Sequence, residues 1–169
     1  RKIFCLPPGL SYGVCYKVIA EQIEDYCFCA FNYLKDDNFV VKVVDQIIEL
    51  QPESPYILMG YSGGGKSLYP VVKELEKRGK SISHLISIDG YWETNKNEYD
   101  VLEIYQEFLD QLDSSYFDYL SIELKIRIRS YDSFLRNIQF DTKLNSKMHF
   151  LVSQGGKIIE SEHHINKEI

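Results

Sequence analysis

The chain has 169 residues, the length of one domain, and at that size folding hides roughly two-thirds of the unfolded surface, so a full core can form. With 44% hydrophobic and 26% charged residues, 10 Gly and 5 Pro, it has the composition of a globular protein and excludes disorder, collagen and coiled coil. A net charge of −6 and the lack of a local basic patch leave no nucleic-acid partner to expect.

The cysteines Cys5, Cys15, Cys27 and Cys29 all fall within the first 29 residues, and their spacing matches neither a zinc site nor a CxxC redox pair. Buried, reduced thiols in a cytoplasmic protein are expected, with no metal. No apolar stretch approaches bilayer length and no signal peptide opens the chain, so no membrane partner is expected. The chain begins in a strand-like segment without an initiator Met. It is therefore expected to be a segment of something longer.

In chain order, Ile3 to Leu6 reads as a strand stopped by Pro7-Pro8-Gly9, and Val14, Val18, Ile19 and Ile23 have helical spacing. Cys27 to Leu34 reads as a strand with Cys27 and Cys29 on one face. Asp36 to Leu50 reads as a helix, capped by Asp36 or Asp37, with Val40, Val43, Val44, Ile47 and Ile48 on one side. Tyr56 to Met59 is a continuous apolar run, as expected of a strand buried on both faces. A Gly-rich turn leads to a helix from about Lys66 to Arg78, ended by Gly79, in which Pro70 should introduce a kink. His84 to Ile88 is the next strand, ending at Asp89. The stretch from Tyr91 to Asn145 then breaks the rhythm, with helical stripes at Val101, Tyr105, Phe108 and Leu112 and at Tyr131, Phe134, Leu135 and Ile138. Residues Ile122 to Arg129 alternate like a strand but join two helical segments, and are assigned to helix. Met148 to Ser153 restores the strand pattern. Alternating strands and helices predict an α/β fold with a mostly parallel sheet, flanking helices and a helical insertion over about residues 92–143.

The chemical signal is Gly60-Tyr61-Ser62-Gly63-Gly64, a GxSxG between a buried strand and a helix, the context of a nucleophile elbow. A phosphate-binding loop is set aside as the reading of this stretch. A serine nucleophile needs a base and a residue that orients the base. Asp89, at the end of the following strand, would emerge on the same sheet edge as Ser62. Two backbone donors complete an oxyanion hole, Gly63 after the serine and Gly9 after the first strand, because Pro7 and Pro8 have no N–H.

The stretches Ile3-Phe-Cys-Leu-Pro-Pro-Gly-Leu-Ser-Tyr-Gly13, Leu50-Gln-Pro-Glu-Ser-Pro-Tyr-Ile-Leu-Met-Gly-Tyr-Ser-Gly-Gly64 and Leu85-Ile-Ser-Ile-Asp-Gly-Tyr91 resemble the thioesterase domains that end nonribosomal peptide synthetases, over most of residues 1–153. The resemblance implies an α/β-hydrolase fold in a single domain cut from a larger synthetase. It also implies an acyl-enzyme on Ser62, Asp89 as the acid, Gly9 and Gly63 as oxyanion donors, and a lid near residues 92–143. No bound cofactor is implied. The acyl or peptidyl substrate would arrive on the phosphopantetheine arm of a carrier domain and leave by hydrolysis or macrocyclisation.

The chain departs from the family after the strand at Met148, where only sixteen residues follow Ser153. His163, or alternatively His164, is the base if Ser161-Glu162-His163 stands in for the family's Gly-x-His. On a second alignment, Ile158 to Ile169 is the helical tail that follows the histidine, and the base belongs to a stretch absent between Gln154 and Lys157. His84 and His149 fall at or within strands and read as structural. Two further readings stay open: a free-standing editing thioesterase or esterase, and a non-catalytic acyl-binding module.

Overall fold

The computed structural model describes residues 1–9, 12–90, 118–140 and 143–151, with side chains from Ile122 in the helix that begins at Asp118. Five parallel strands form one sheet: β1 (Lys2–Leu6), β2 (Cys27–Ala30), β3 (Tyr56–Tyr61), β4 (Ile82–Ile88) and β5 (Met148–Leu151), in the order β2-β1-β3-β4-β5. Among the described residues the helices are α1 (Lys17–Ala20), α2 (Phe39–Leu50), α3 (Gly63–Lys77) and α4 (Asp118–Arg136).

In the central strands the runs Ile3–Leu6 of β1 and Tyr56–Met59 of β3 are continuously apolar because both faces are covered. Phe4, Leu6, Tyr56 and Leu58 point to one face, where they join Phe39, Val43, Val44 and Ile47 of α2, Leu68, Val71, Val72 and Leu75 of α3, and Tyr131 and Leu135 of α4. Ile3, Cys5 and Met59, one residue out of phase, point to the other face and meet Tyr16. Each such fully buried aliphatic or aromatic side chain contributes about 1.5–3 kcal/mol relative to exposure, which fixes the register of these strands against a one-residue slip.

The helix expected over Val14 to Ile23 is only a 3-10 turn, Gly13–Tyr16, followed by the single turn of α1. Gly13 and Tyr16 anchor this segment: Gly13 donates to Asn32 Oδ1 at 2.8 Å, and the Tyr16 ring enters the core. The opposite side is turned outward, leaving Val14 68% and Val18 71% exposed. The strand expected to reach Leu34 stops at Ala30, since among the described residues β2 lies at the sheet edge and pairs only with β1. For the same reason Cys27 is exposed and Cys29 half-buried, against the expected burial; Cys15 is half-buried too, Cys5 alone is fully buried, and all four cysteines are free.

Asp36 does not occupy the cap position of α2, which is Asn38. Its carboxylate instead accepts the Asn38 N–H at 2.7 Å and pairs with Lys42, tying the approach to the helix. Pro70 stands inside α3 without ending it, and Gly79 follows its C-terminus. Residues Ile122 to Arg129 are helical, as assigned: Ile128, Tyr131 and Leu135 make a buried stripe, while Ile122 and Ile126 remain exposed. The stripe expected over Val101 to Leu112 lies outside the described residues, as do His163 and His164.

Candidate active site

Strand β3 passes into helix α3 through a single residue, Ser62, whose backbone stands at φ 53° and ψ −123°. A serine there carries strain of about 1–3 kcal/mol, which the surrounding structure must hold in place. Two glycines make the sharp turn sterically feasible. A Cβ on Gly60 would come within 2.2 Å of the Gly64 carbonyl oxygen, and one on Gly64 within 2.5 Å of the Leu6 carbonyl oxygen. The first turn of α3 is thus pressed onto β3 and onto the end of β1, with no room for a methyl group at Gly60 or Gly64.

Asp89 lies one residue past β4, also with a positive φ, 46°. Parallel pairing aligns Tyr61 with Ile88, so Ser62 and Asp89 leave adjacent strands at the same level. The Ser62 N–H donates to the Ile88 carbonyl at 2.8 Å, and the Asp89 N–H to the Leu151 carbonyl at 2.8 Å. The end of β4 is therefore pinned from both sides, and Ser62 and Asp89 meet at the carboxyl edge of the sheet, where α/β folds gather their functional groups.

Gly9 and Gly63 are brought under one side chain. The Tyr131 ring of α4 lies 3.6 Å from the position a Gly9 Cβ would take and 3.2 Å from the corresponding position on Gly63. Its hydroxyl donates to the Pro7 carbonyl. From the other side of the sheet, the Tyr16 hydroxyl donates to the Leu6 carbonyl at 2.6 Å and accepts the Tyr61 N–H at 2.8 Å. Burial pushes the Tyr16 phenol well above its ordinary range, so it stays a protonated donor. The sequence places Tyr131 in an apolar stripe and among the aromatic residues of the expected lid, and gives no sign of a role for Tyr16. The available signal was Pro7-Pro8, which offers carbonyls and no N–H, so the turn has to be held by donors from elsewhere in the fold.

The described histidines stand elsewhere. His84 pairs in register with Ile57, near the start of β3, and His149 with Ile86; their rings stack on each other at 5.4 Å. Among the described residues no group of three His, Cys, Asp or Glu could hold a metal ion, and no helix is long and apolar enough to cross a membrane.

Counted residue by residue, Gly60 to Ser67 also satisfies the GxxxxGK[ST] spacing of a phosphate loop, so spacing does not exclude one. The fold does. A phosphate loop needs a run of backbone amides wrapped open around an anion, whereas here α3 begins at Gly63 and Gly63, Gly64 and Gly65 are already helical and buried. Lys66 is 6% exposed and its ammonium lies over the Phe140 ring at 5.7 Å. Burial, with the Arg136 charge, lowers its pKa, against the opposing effect of Asp132.

The family model for the thioesterase domain matches residues 1–118. The chain belongs to the thioesterase-domain family. Among curated relatives of this thioesterase domain, tyrocidine synthase 3 of Brevibacillus parabrevis is 36% identical over 103 residues, covering 61% of the chain and 2% of that protein. Bacitracin synthase 3 of Bacillus licheniformis is 31% identical over 116 residues, covering 69% of the chain and 2% of that protein. The chain thus spans a small fraction of these relatives. Among solved structures, the thioesterase domain that cyclises the lipopeptide surfactin superposes with a TM-score of 0.75 at 23% identity, over 90% of this chain and 69% of that one. The NocB thioesterase domain, in covalent complex with a fluorophosphonate nocardicin G analogue, gives a TM-score of 0.75 at 16% identity, over 91% and 73%. These likenesses establish the α/β-hydrolase fold of the thioesterase domain.

Proposed function

We propose that the chain is a serine thioesterase that takes an acyl or peptidyl group from a carrier-domain phosphopantetheine thioester and releases it by hydrolysis or macrocyclisation. The observation that supports this most is the strained Ser62 turn, with Asp89 beside it and the Gly9 loop packed against α3. In this reading Ser62 Oγ attacks the thioester carbonyl while a histidine takes its proton. The oxyanion is held by the N–H groups of Gly9 and Gly63. Collapse breaks the C–S bond, the histidine returns the proton to the departing thiol, and an ester on Ser62 remains. Water, or a hydroxyl or amine at the far end of the same chain, then attacks that ester with the histidine again as base.

Asp89 orients the histidine and stabilises its charged form; His163 or His164 is the candidate in this sequence. The insertion at residues 92–143 serves as a lid, a role that suits α4 and the seat of Tyr131 over Gly9 and Gly63. That the relatives are synthases of which this chain matches about 2% of the length supports a place in a larger synthetase, with a carrier domain of that synthetase as partner. Reduced thiols at Cys5, Cys15, Cys27 and Cys29 suit a cytoplasmic setting.

A fluorophosphonate probe tests the reading directly. Stoichiometric labelling mapped to Ser62, with loss of thioester turnover in step, is the expected result. An unlabelled Ser62 in folded protein that still turns over thioester would overturn it.

A further inference from the structure

Pro7 and Pro8 deprive the turn after β1 of two N–H groups, so the peptide planes leading to Gly9 can be held only through their carbonyls. Both of the first two carbonyls are held, each by a buried tyrosine hydroxyl. Leu6 accepts from Tyr16 at 2.6 Å, and Pro7 accepts from Tyr131. The two tyrosines come from opposite sides of the sheet and are 2% and 1% exposed. Tyr16 also accepts the N–H of Tyr61, the residue before Ser62, so a single oxygen joins the end of β1 to the serine turn. With the φ angles of Pro7 and Pro8 fixed by their rings and two carbonyl directions fixed by hydroxyls, the ψ of Pro8 is the remaining soft torsion before the Gly9 amide. The Tyr131 ring lies beside Gly9, 3.6 Å from the position its Cβ would take.

We propose that Tyr16 and Tyr131 are positioning residues that aim the Gly9 N–H at the oxyanion, Tyr16 by tying it to the Ser62 turn and Tyr131 by tying it to α4. The inference rests on the proposed role of Gly9 as an oxyanion donor. It makes the seating of α4 a condition for full activity, because the hydroxyl that holds Pro7 arrives only with that helix. Neither tyrosine touches the reacting atoms in this role, and each acts through the backbone that it holds.

The test compares Tyr16→Phe, Tyr131→Phe, Ser62→Ala and a matched control, Tyr56→Phe. Tyr56 likewise loses a bond from a buried ring to a backbone carbonyl, Gln51 at 3.0 Å, but at the far end of β3. Thermal melts, kcat and KM with a butyryl-N-acetylcysteamine thioester, and inhibition by an alkyl trifluoromethyl ketone, which forms a tetrahedral oxyanion on a serine, are measured for each. Removal of one oxyanion donor costs about 100- to 1,000-fold in kcat, and a misaimed donor should cost a part of that, about tenfold or more. Each Phe variant should therefore lose about tenfold in kcat and in ketone affinity with KM little changed, while Tyr56→Phe keeps kcat. Either tyrosine variant that melts cooperatively decides the matter. A kcat within twofold of wild type, a loss confined to KM, or an equal loss in Tyr56→Phe would overturn the inference. Retained turnover in Ser62→Ala would instead overturn the serine thioesterase reading.

Discussion

Ser62 and Asp89 leave neighbouring parallel strands, each with a positive φ, 53° and 46°, and are coupled through the Ser62 N–H and the carbonyl of Ile88 at 2.8 Å. Two non-glycine residues with positive φ at adjoining strand ends are uncommon, and strain of this kind gathers where geometry serves function.

Ser62→Ala should abolish thioester turnover by several orders of magnitude, as loss of a nucleophile does when it acts as part of a unit. The fold should survive, since the methyl group of alanine occupies the place of the serine Cβ. Turnover and a thermal melt on the same preparation check this, and near wild-type turnover would refute the assignment.

Asp89→Asn tests the acid. Asparagine tolerates the left-handed conformation, so the backbone should be kept while the imidazole loses its orienting carboxylate, lowering kcat by a factor on the order of 10,000 with KM little changed. A loss seen mainly in KM would point to a turn or binding role. Asp89→Ala should show added instability, because a residue at φ 46° is less easily accommodated with a plain Cβ.

Gly64→Ala addresses the packing of the turn. Its Cβ would stand 2.5 Å from the Leu6 carbonyl oxygen and 3.1 Å from that of Pro7, and backbone cannot yield as a flexible side chain can. Destabilisation of about 3 kcal/mol is expected, read from urea unfolding, together with loss of activity. A variant as stable as wild type would show that α3 does not press on β1 this closely.

The thiols should separate by exposure. Burial pushes the Cys5 thiol far above its ordinary range, and burial also raises Cys29, whereas Cys27 is exposed. Iodoacetamide at neutral pH should modify Cys27 first and Cys5 only on unfolding, because the thiolate is the reactive form. Peptide mass mapping over time reads the order, and early modification of Cys5 would contradict it.

Sequence by itself determined the strands at Ile3–Leu6, Tyr56–Met59 and His84–Ile88, the helical stripe through Val43, Val44 and Ile47, and the pairing of a GxSxG turn with Asp89. Each of these rests on a local cause: the period of the apolar residues, the small residues that a sharp turn demands, and the carboxyl end of a strand in a parallel sheet. Tertiary structure decided what local pattern could not. Val14 and Val18 have helical spacing yet face outward, because Gly13 and Tyr16 hold the other side of that segment. The spacing of Gly60 to Ser67 fits a phosphate loop as well as a serine turn, and the start of α3 at Gly63 and the burial of Lys66 separate the two. Tyr131 reaches Pro7 across 124 positions of chain, a contact that no spacing rule contains, since it exists only once the sheet order β2-β1-β3-β4-β5 has set the end of β1 beside α3 and beneath α4.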